Sequence, residues 1–126
     1  MSKSESTEMY LETIYLLEKD HGHAHTVDVA KRLNVSKPSV TKAVNNLKEE
    51  GLVNKEAYGT INLTDKGKVI SKRIYSKHKL ITEYLYSSLG LSKSEAEKNA
   101  CKMEHIVSDK MIKKIEEYLD YKRDTL

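Results

Sequence analysis

The sequence predicts a mainly α chain in two parts, a front half of helices closed by one short hairpin and a rear half of helices alone. Three observations carry this. Apolar residues recur at helical spacing through most of the 126 residues. A single Pro and five Gly leave long stretches with no helix breaker. The β-type residues gather in two short runs, Leu52–Lys55 and Thr60–Leu63, on either side of Glu56-Ala-Tyr-Gly.

The first helix spans Thr7 to Lys19, where Met9, Tyr10, Ile14, Leu16 and Leu17 fall at helical spacing. Asp20-His-Gly-His-Ala-His ends it. Thr26 is the expected N-cap of a short second helix carrying Val27, Val29, Ala30 and Leu33, which Asn34-Val35 breaks. Ser36 caps a third helix with Pro38 in its first turn; Val40, Ala43, Val44 and Leu47 form its buried face, and Gly51 stops it. After the hairpin, whose turn uses Gly59, Thr64 caps a long helix running to about Ser88. Ser92 and Glu95 form a capping box for the next helix. Ser108 caps the last one, residues 109–123, with Met111, Ile112, Ile115 and Leu119 on its apolar face.

Composition narrows the class. There is no Phe or Trp but there are eight Tyr, and no apolar run approaches the ~20 residues of a membrane span. The opening Met-Ser-Lys-Ser-Glu-Ser lacks the apolar stretch of a signal peptide. The single Cys cannot form an internal disulfide, which suits a reducing compartment, so the chain reads as cytoplasmic. Net charge is +3 but unevenly spread. Residues 31–79 hold twelve Lys or Arg against four Asp or Glu, whereas residues 80–126 hold eight against nine. A basic first half beside a near-neutral second half points to a polyanion-binding module joined to something else.

Helix, short helix, tight turn, helix and hairpin are the order of a winged helix-turn-helix, in which the second helix of the pair enters the major groove by its N-terminal end. That end reads Ser36-Lys37-Pro38-Ser39-Val40-Thr41-Lys42. Val40 is expected to face the core, leaving Ser36, Lys37, Pro38, Ser39, Thr41 and Lys42 for phosphates and base edges. Lys55 and Tyr58 of the wing are placed to lie along the sugar-phosphate backbone.

In the rear half, Cys101, Glu104 and His105 stand at i, i+3 and i+4, one face of a helix. A thiolate, a carboxylate and an imidazole are donors for a first-row transition ion. Met103, Met111 and Lys113-Lys114 are better read as packing and solvated surface. His21, His23 and His25 alternate in a loop and are read as mostly solvated.

With a winged helix first and Cys-x-x-Glu-His second, the chain resembles the diphtheria toxin repressor family of metal-dependent repressors. Its manganese regulators belong to the same family. Thr7-Glu-Met-Tyr-Leu-Glu-Thr-Ile-Tyr is similar to the opening helix of that family, and Ser36-Lys-Pro-Ser-Val-Thr to its recognition helix. Leu63-Thr-Asp-Lys-Gly, Lys77-His-Lys-Leu and Cys101-Lys-Met-Glu-His-Ile-Val-Ser-Asp complete the likeness across essentially the whole chain.

The resemblance implies residues 1–64 as a winged helix-turn-helix DNA-binding domain and 65–126 as a helical dimerisation and metal-binding domain, in the short two-domain form. It implies a main regulatory site of Met9, Cys101, Glu104 and His105, and a second ion near Glu12, His78 and Glu104. The iron-type second site calls for a carboxylate where this chain has Thr82 and a histidine where it has Glu97, so Glu97 is an outside candidate. Manganese-responsive members carry Asp at the Met9 position and Glu at the Cys101 position. The softer thioether and thiolate here favour Fe(II), with Mn(II) as the alternative, and Co(II), Ni(II) or Zn(II) substitute in vitro.

The expected function is a metal-activated repressor of metal-uptake genes. It would bind a double-stranded operator as a homodimer, with no membrane partner and no organic small-molecule substrate. Metal would select a spacing of the two recognition helices of about 34 Å, one helical turn, or a multiple of it. Two other classes keep the winged helix: a sensor of an organic ligand, and a redox switch at Cys101. An enzyme is not expected, because the sole acid–base cluster is the metal triad and no nucleophile has an adjacent base.

Overall fold

Residues 3–125 are described by the computed structural model, without the side chains of Lys3, Ser4 and Ala57. Met1-Ser2, part of the opening stretch read above, and Leu126 lie outside the described residues. The described residues form six α-helices and one three-stranded sheet: α1 (Lys3–His21), β1 (Ala24–His25), α2 (Thr26–Leu33), α3 (Lys37–Glu49), β2 (Val53–Lys55), β3 (Thr60–Leu63), α4 (Asp65–Ser87), α5 (Lys93–Met103) and α6 (Asp109–Thr125). They divide into two compact units between Arg73 and Ile74, within α4.

In the first unit the helix-turn-helix follows from its caps. The Ser36 hydroxyl accepts from the Ser39 N–H at 3.2 Å, and Pro38 occupies the first turn of α3, where its missing N–H costs nothing. Asn34 closes α2 in the left-handed region at φ 55°. Val40, Val44 and Leu47 of α3 are buried, as are Leu11, Ile14 and Leu17 of α1 and Val29 and Ala30 of α2. Each such Val, Leu or Ile side chain contributes about 1.5–3 kcal/mol by leaving water. Ala43, expected in that face, is half-buried.

Two corrections concern the hairpin region. Thr26 begins α2 but does not cap it; the N-cap is His25, whose side chain makes no capping bond, and the Thr26 hydroxyl donates instead to the Gly59 carbonyl at 3.3 Å. The sheet also has a strand that the periodicity does not show. β1 pairs antiparallel with β3 through Ala24↔Ile61 and His25↔Thr60, giving the order β1-β3-β2. β2 and β3 pair as Val53↔Leu63, Asn54↔Asn62 and Lys55↔Ile61.

Glu18 ties α1 to this sheet: its Oε2 accepts from the Leu63 N–H at 3.0 Å, and its Oε1 lies 3.9 Å from Lys68 Nζ. Thr64 opens α4, accepting from the Gly67 N–H at 3.1 Å and donating to the Gly51 carbonyl at 2.6 Å. A Cβ at Gly67 would collide with the Leu52 carbonyl, so this close approach needs glycine.

The second unit packs Ile81 and Leu85 of α4, Ala96 and Ala100 of α5, and Ile115 and Leu119 of α6 into one core. Ser92 caps α5 by accepting from the Glu95 N–H at 3.2 Å, and Ser108 accepts from the Met111 N–H at 3.1 Å at the start of α6. Met111, expected on the apolar face, is exposed, and Ile112 is half-buried. Lys122 closes the far end of α4, donating to the Ser87 carbonyl at 2.7 Å. Among the described residues, no helix is long and apolar enough to cross a membrane.

Candidate metal centre and nucleic-acid interface

The buried face of α5 is made of small residues, Ala96 and Ala100, which let the helix settle closely on the shared core. The next residue, Cys101, thereby comes to His78 of α4, with Sγ 3.8 Å from Nδ1. His78 Nδ1 also lies 3.1 Å from Glu104 Oε2. The second carboxylate oxygen, Oε1, lies 3.2 Å from His105 Nε2. Glu104 is fully buried, the His105 side chain is 5% exposed, and Cys101 is exposed. A carboxylate thus sits between two imidazoles, with a thiol beside one of them. One ligand atom each from His78, Cys101 and Glu104 falls within a 4.8 Å cluster.

This differs from the arrangement expected of a continuous helix. α5 ends at Met103, and Glu104 is its C-cap at φ −59°, ψ −24°. The Ile106 and Val107 N–H groups both donate to the Met103 carbonyl at 3.0 Å, so the chain tightens as it leaves the helix. His105 therefore meets Glu104 from the far side, and the close partner of Cys101 is His78.

The donor set fits a divalent transition ion. Buried carboxylates are costly unless compensated by cations or metals. A proton on His78 also compensates it: hydrogen bonds from the charged imidazole to the Cys101 sulfur and to the Glu104 carboxylate push the His78 pKa from 6.5 up to about 10, against the opposing effect of burial. The Tyr75 ring lies nearly parallel to His78, 9° between planes with centroids 6.1 Å apart. Of the outside candidates, the Thr82 hydroxyl is committed to the His78 carbonyl at 2.7 Å. Glu97 lines a pocket of about 500 Å³ with His78 and Tyr75 but is not part of the 4.8 Å cluster. Met9 and Glu12 lie on α1 in the first unit, both half-buried.

The residues expected to meet DNA lie at the start of α3. Ser36, Lys37, Pro38, Ser39 and Lys42 are exposed, while Val40 is fully buried. Thr41 is half-buried, and its hydroxyl donates to the Lys37 carbonyl at 3.1 Å. Ser36 and Ser39 hydroxyls share a 2.8 Å bond. Of the histidines expected in a loop, His21 ends α1 and His25 stands in β1, with only His23 between the two elements; His21 and His23 are exposed, and the His23 and His25 rings meet edge-on at 4.6 Å. Two features escaped the sequence reading: the closeness of His78 to Cys101, and the backbone of Tyr58, at φ 67°. No local pattern signals the first, because 23 residues separate the pair.

Known proteins supply the comparison. Residues 3–61 match the model for the iron dependent repressor N-terminal DNA binding domain, and residues 64–125 the model for its metal binding and dimerisation domain. An uncharacterised HTH-type transcriptional regulator of Methanocaldococcus jannaschii is 38% identical over 122 residues, 96% of this chain and 98% of that protein. The diphtheria toxin repressor of Corynebacterium efficiens is 32% identical over 116 residues, 92% of this chain. The chain spans about half of that repressor, 50% of its length. Among solved structures, a manganese-dependent transcriptional repressor in complex with manganese superposes with a TM-score of 0.84 at 28% identity, over 91% of this chain and 53% of that one.

Proposed function

The chain belongs to the iron-dependent repressor family, that of the diphtheria toxin repressor, and from this premise we propose a repressor whose grip on DNA is switched on by Fe(II) or Mn(II). The family consists of DNA-binding transcriptional repressors, not enzymes. The observation that carries the proposal is Glu104, fully buried between His78 and His105 with Cys101 alongside. Cys101, Glu104, His105 and His78 would hold the ion, and the resemblance adds Met9 and Glu12 of α1 to the ligand set. The ion supplies positive charge to a buried carboxylate. The protein supplies the order of preference: a thiolate and a thioether favour Fe(II) over Mn(II), and Co(II), Ni(II) and Zn(II) also suit such donors.

On the DNA side, Ser36, Lys37, Pro38, Ser39, Thr41 and Lys42 at the start of α3 would meet phosphates and base edges. A homodimer gives the two recognition helices that a two-fold operator requires. The exposed Tyr86, Leu89, Ile106, Tyr118 and Tyr121 of the second unit supply apolar surface for it. Metal and operator affinity are then reciprocally coupled, commonly by about 1–3 kcal/mol. Genes for metal uptake are the natural targets of such a switch, since a repressor that metal activates shuts them off when metal is plentiful.

The test is anaerobic binding to a duplex from the chain's own upstream region, titrated with Fe(II) and with Mn(II) at constant ionic strength and reversed with a chelator. Binding tightens with metal, and Glu104→Ala and His105→Ala abolish the stimulation while circular dichroism still shows the helices. Unchanged stimulation in both variants removes this cluster from the switch.

A further inference from the structure

Three histidines alternate where α1 gives way to the sheet, His21, His23 and His25, and the Glu104 cluster of the second unit uses none of them. Gly22 makes the turn between the first two. It takes the left-handed region at φ 82°, and its N–H donates to the Glu18 carbonyl at 2.7 Å. A Cβ there would meet nothing within 4 Å, so the turn faces open space. Beyond it the chain is extended. Ala24 is fully buried, and in an extended chain the residues on either side of it point the opposite way. His23 and His25 therefore stand side by side on the outer face, with ring centroids 4.6 Å apart and 80° between planes.

Two imidazoles bound side by side to one ion, each through a metal–nitrogen bond of about 2.1 Å, hold their centroids about 4.5–5.5 Å apart. The pair has that separation. His25 is also held from behind, because its Nδ1 lies 3.5 Å from the Thr60 hydroxyl, which leaves Nε2 as the ligand atom. Such a bond at the second ring nitrogen is what orients a metal-binding imidazole. Among the described residues, no other His, Cys, Asp or Glu completes a 4.8 Å cluster with the pair. Water and the exposed His21, across the Gly22 turn, are at hand for the remaining positions.

We propose that His23 and His25 form a second metal-ion site, for Zn(II), Ni(II) or Cu(II), at the root of the hairpin. Imidazoles with neither carboxylate nor thiolate suit these ions, whereas Mn(II) favours oxygen donors and is held poorly. The site shares no residue with the Glu104 cluster and lies wholly in the first unit, so it does not depend on the metal-switch reading. His25 is paired with Thr60 of β3, and an ion on its ring ties the segment that leaves α1 to the base of the hairpin.

The test titrates the untagged full chain with Zn(II), counts bound ions by equilibrium dialysis and follows the imidazole nitrogens by nuclear magnetic resonance. Zn(II) is expected to move the His23 and His25 ring signals together, and an excess of Mn(II) of about tenfold does not displace it. His23→Gln and His25→Gln each weaken this Zn(II) by about tenfold or more, and the double variant binds one Zn(II) fewer per chain than wild type. His23 is exposed, so His23→Gln unfolds at the wild-type temperature and its loss is that of a ligand.

Glu104→Gln weakens binding at the other cluster and keeps this Zn(II), which tells a failure of this site from a failure of the metal switch. The same Zn(II) count in wild type and the double variant overturns the proposal. So does displacement of this Zn(II) by the Mn(II) excess, or His23 and His25 signals that Zn(II) leaves unmoved in Glu104→Gln.

Discussion

Metal affinity is expected to rise with pH along a course set by His78. Its Nδ1 lies between the Cys101 sulfur at 3.8 Å and the Glu104 carboxylate at 3.1 Å, and these partners push its pKa up to about 10. In the metal-free chain the imidazole is therefore charged at neutral pH, and it must release that proton to become a ligand. One proton displaced per ion makes the apparent Kd fall tenfold per pH unit. Between about pH 6 and pH 8 the dissociation constant is expected to tighten about a hundredfold from this residue alone.

The sign for stability runs the other way. A raised folded pKa favours the metal-free fold fully below the ordinary 6.5, and this contribution fades as pH rises through about 10. Glu104→Gln keeps the shape but removes the charge, so the His78 pKa drops toward its ordinary value. Affinity falls, and the remaining pH dependence flattens above neutrality. The assay is competition for Co(II) against a coloured chelator across this pH range at constant ionic strength. Calorimetry in two buffers of different ionisation enthalpy counts the protons released. An affinity independent of pH, with no proton released by the wild type, refutes the reasoning.

Three further outcomes follow from other parts of the chain. Gly67→Ala is expected to cost about 1–3 kcal/mol in urea unfolding, since its methyl group meets the Leu52 carbonyl; an unchanged midpoint contradicts the close approach. Lys42→Ala, on the exposed face of α3, lowers affinity for duplex DNA, and a preference relaxed at a single base pair marks a base contact, whereas a uniform loss marks a phosphate contact. Met9→Asp replaces a thioether by a carboxylate and is expected to move the response toward Mn(II) in DNA-binding titrations; an unaltered order of metals counts against the softness argument.

How far the sequence disclosed this molecule depends on the range of each signal. Caps are local, and Ser36, Thr64, Ser92 and Ser108 all bond the N–H groups their positions require. The buried faces of α3 and α6 follow helical periodicity, apart from the half-buried Ala43 and Ile112 and the exposed Met111. β1 was illegible because two residues have no period; what makes them a strand is pairing with β3, 35 residues away. The triad spacing points to Cys101, Glu104 and His105, and of these the structure sets the Glu104 carboxylate against His105 at 3.2 Å. Spacing could not show that α5 stops at Met103, which turns His105 to the far side of Glu104. Nor could it bring His78 to Cys101, since tertiary packing through Ala96 and Ala100 decides that.

The Glu18 carboxylate has a consequence for solubility. β1 covers β3 only at Thr60 and Ile61, and beyond it the Leu63 N–H is taken by a side chain from α1. An open N–H on a strand is a place where another chain's strand can add itself. Here a helix occupies that margin with a charged group, and on the opposite margin β2 offers only Val53–Lys55. The sheet that holds up the wing is thus a poor template for growth. Two copies of the chain can be brought together at high concentration without their hairpins zipping edge to edge.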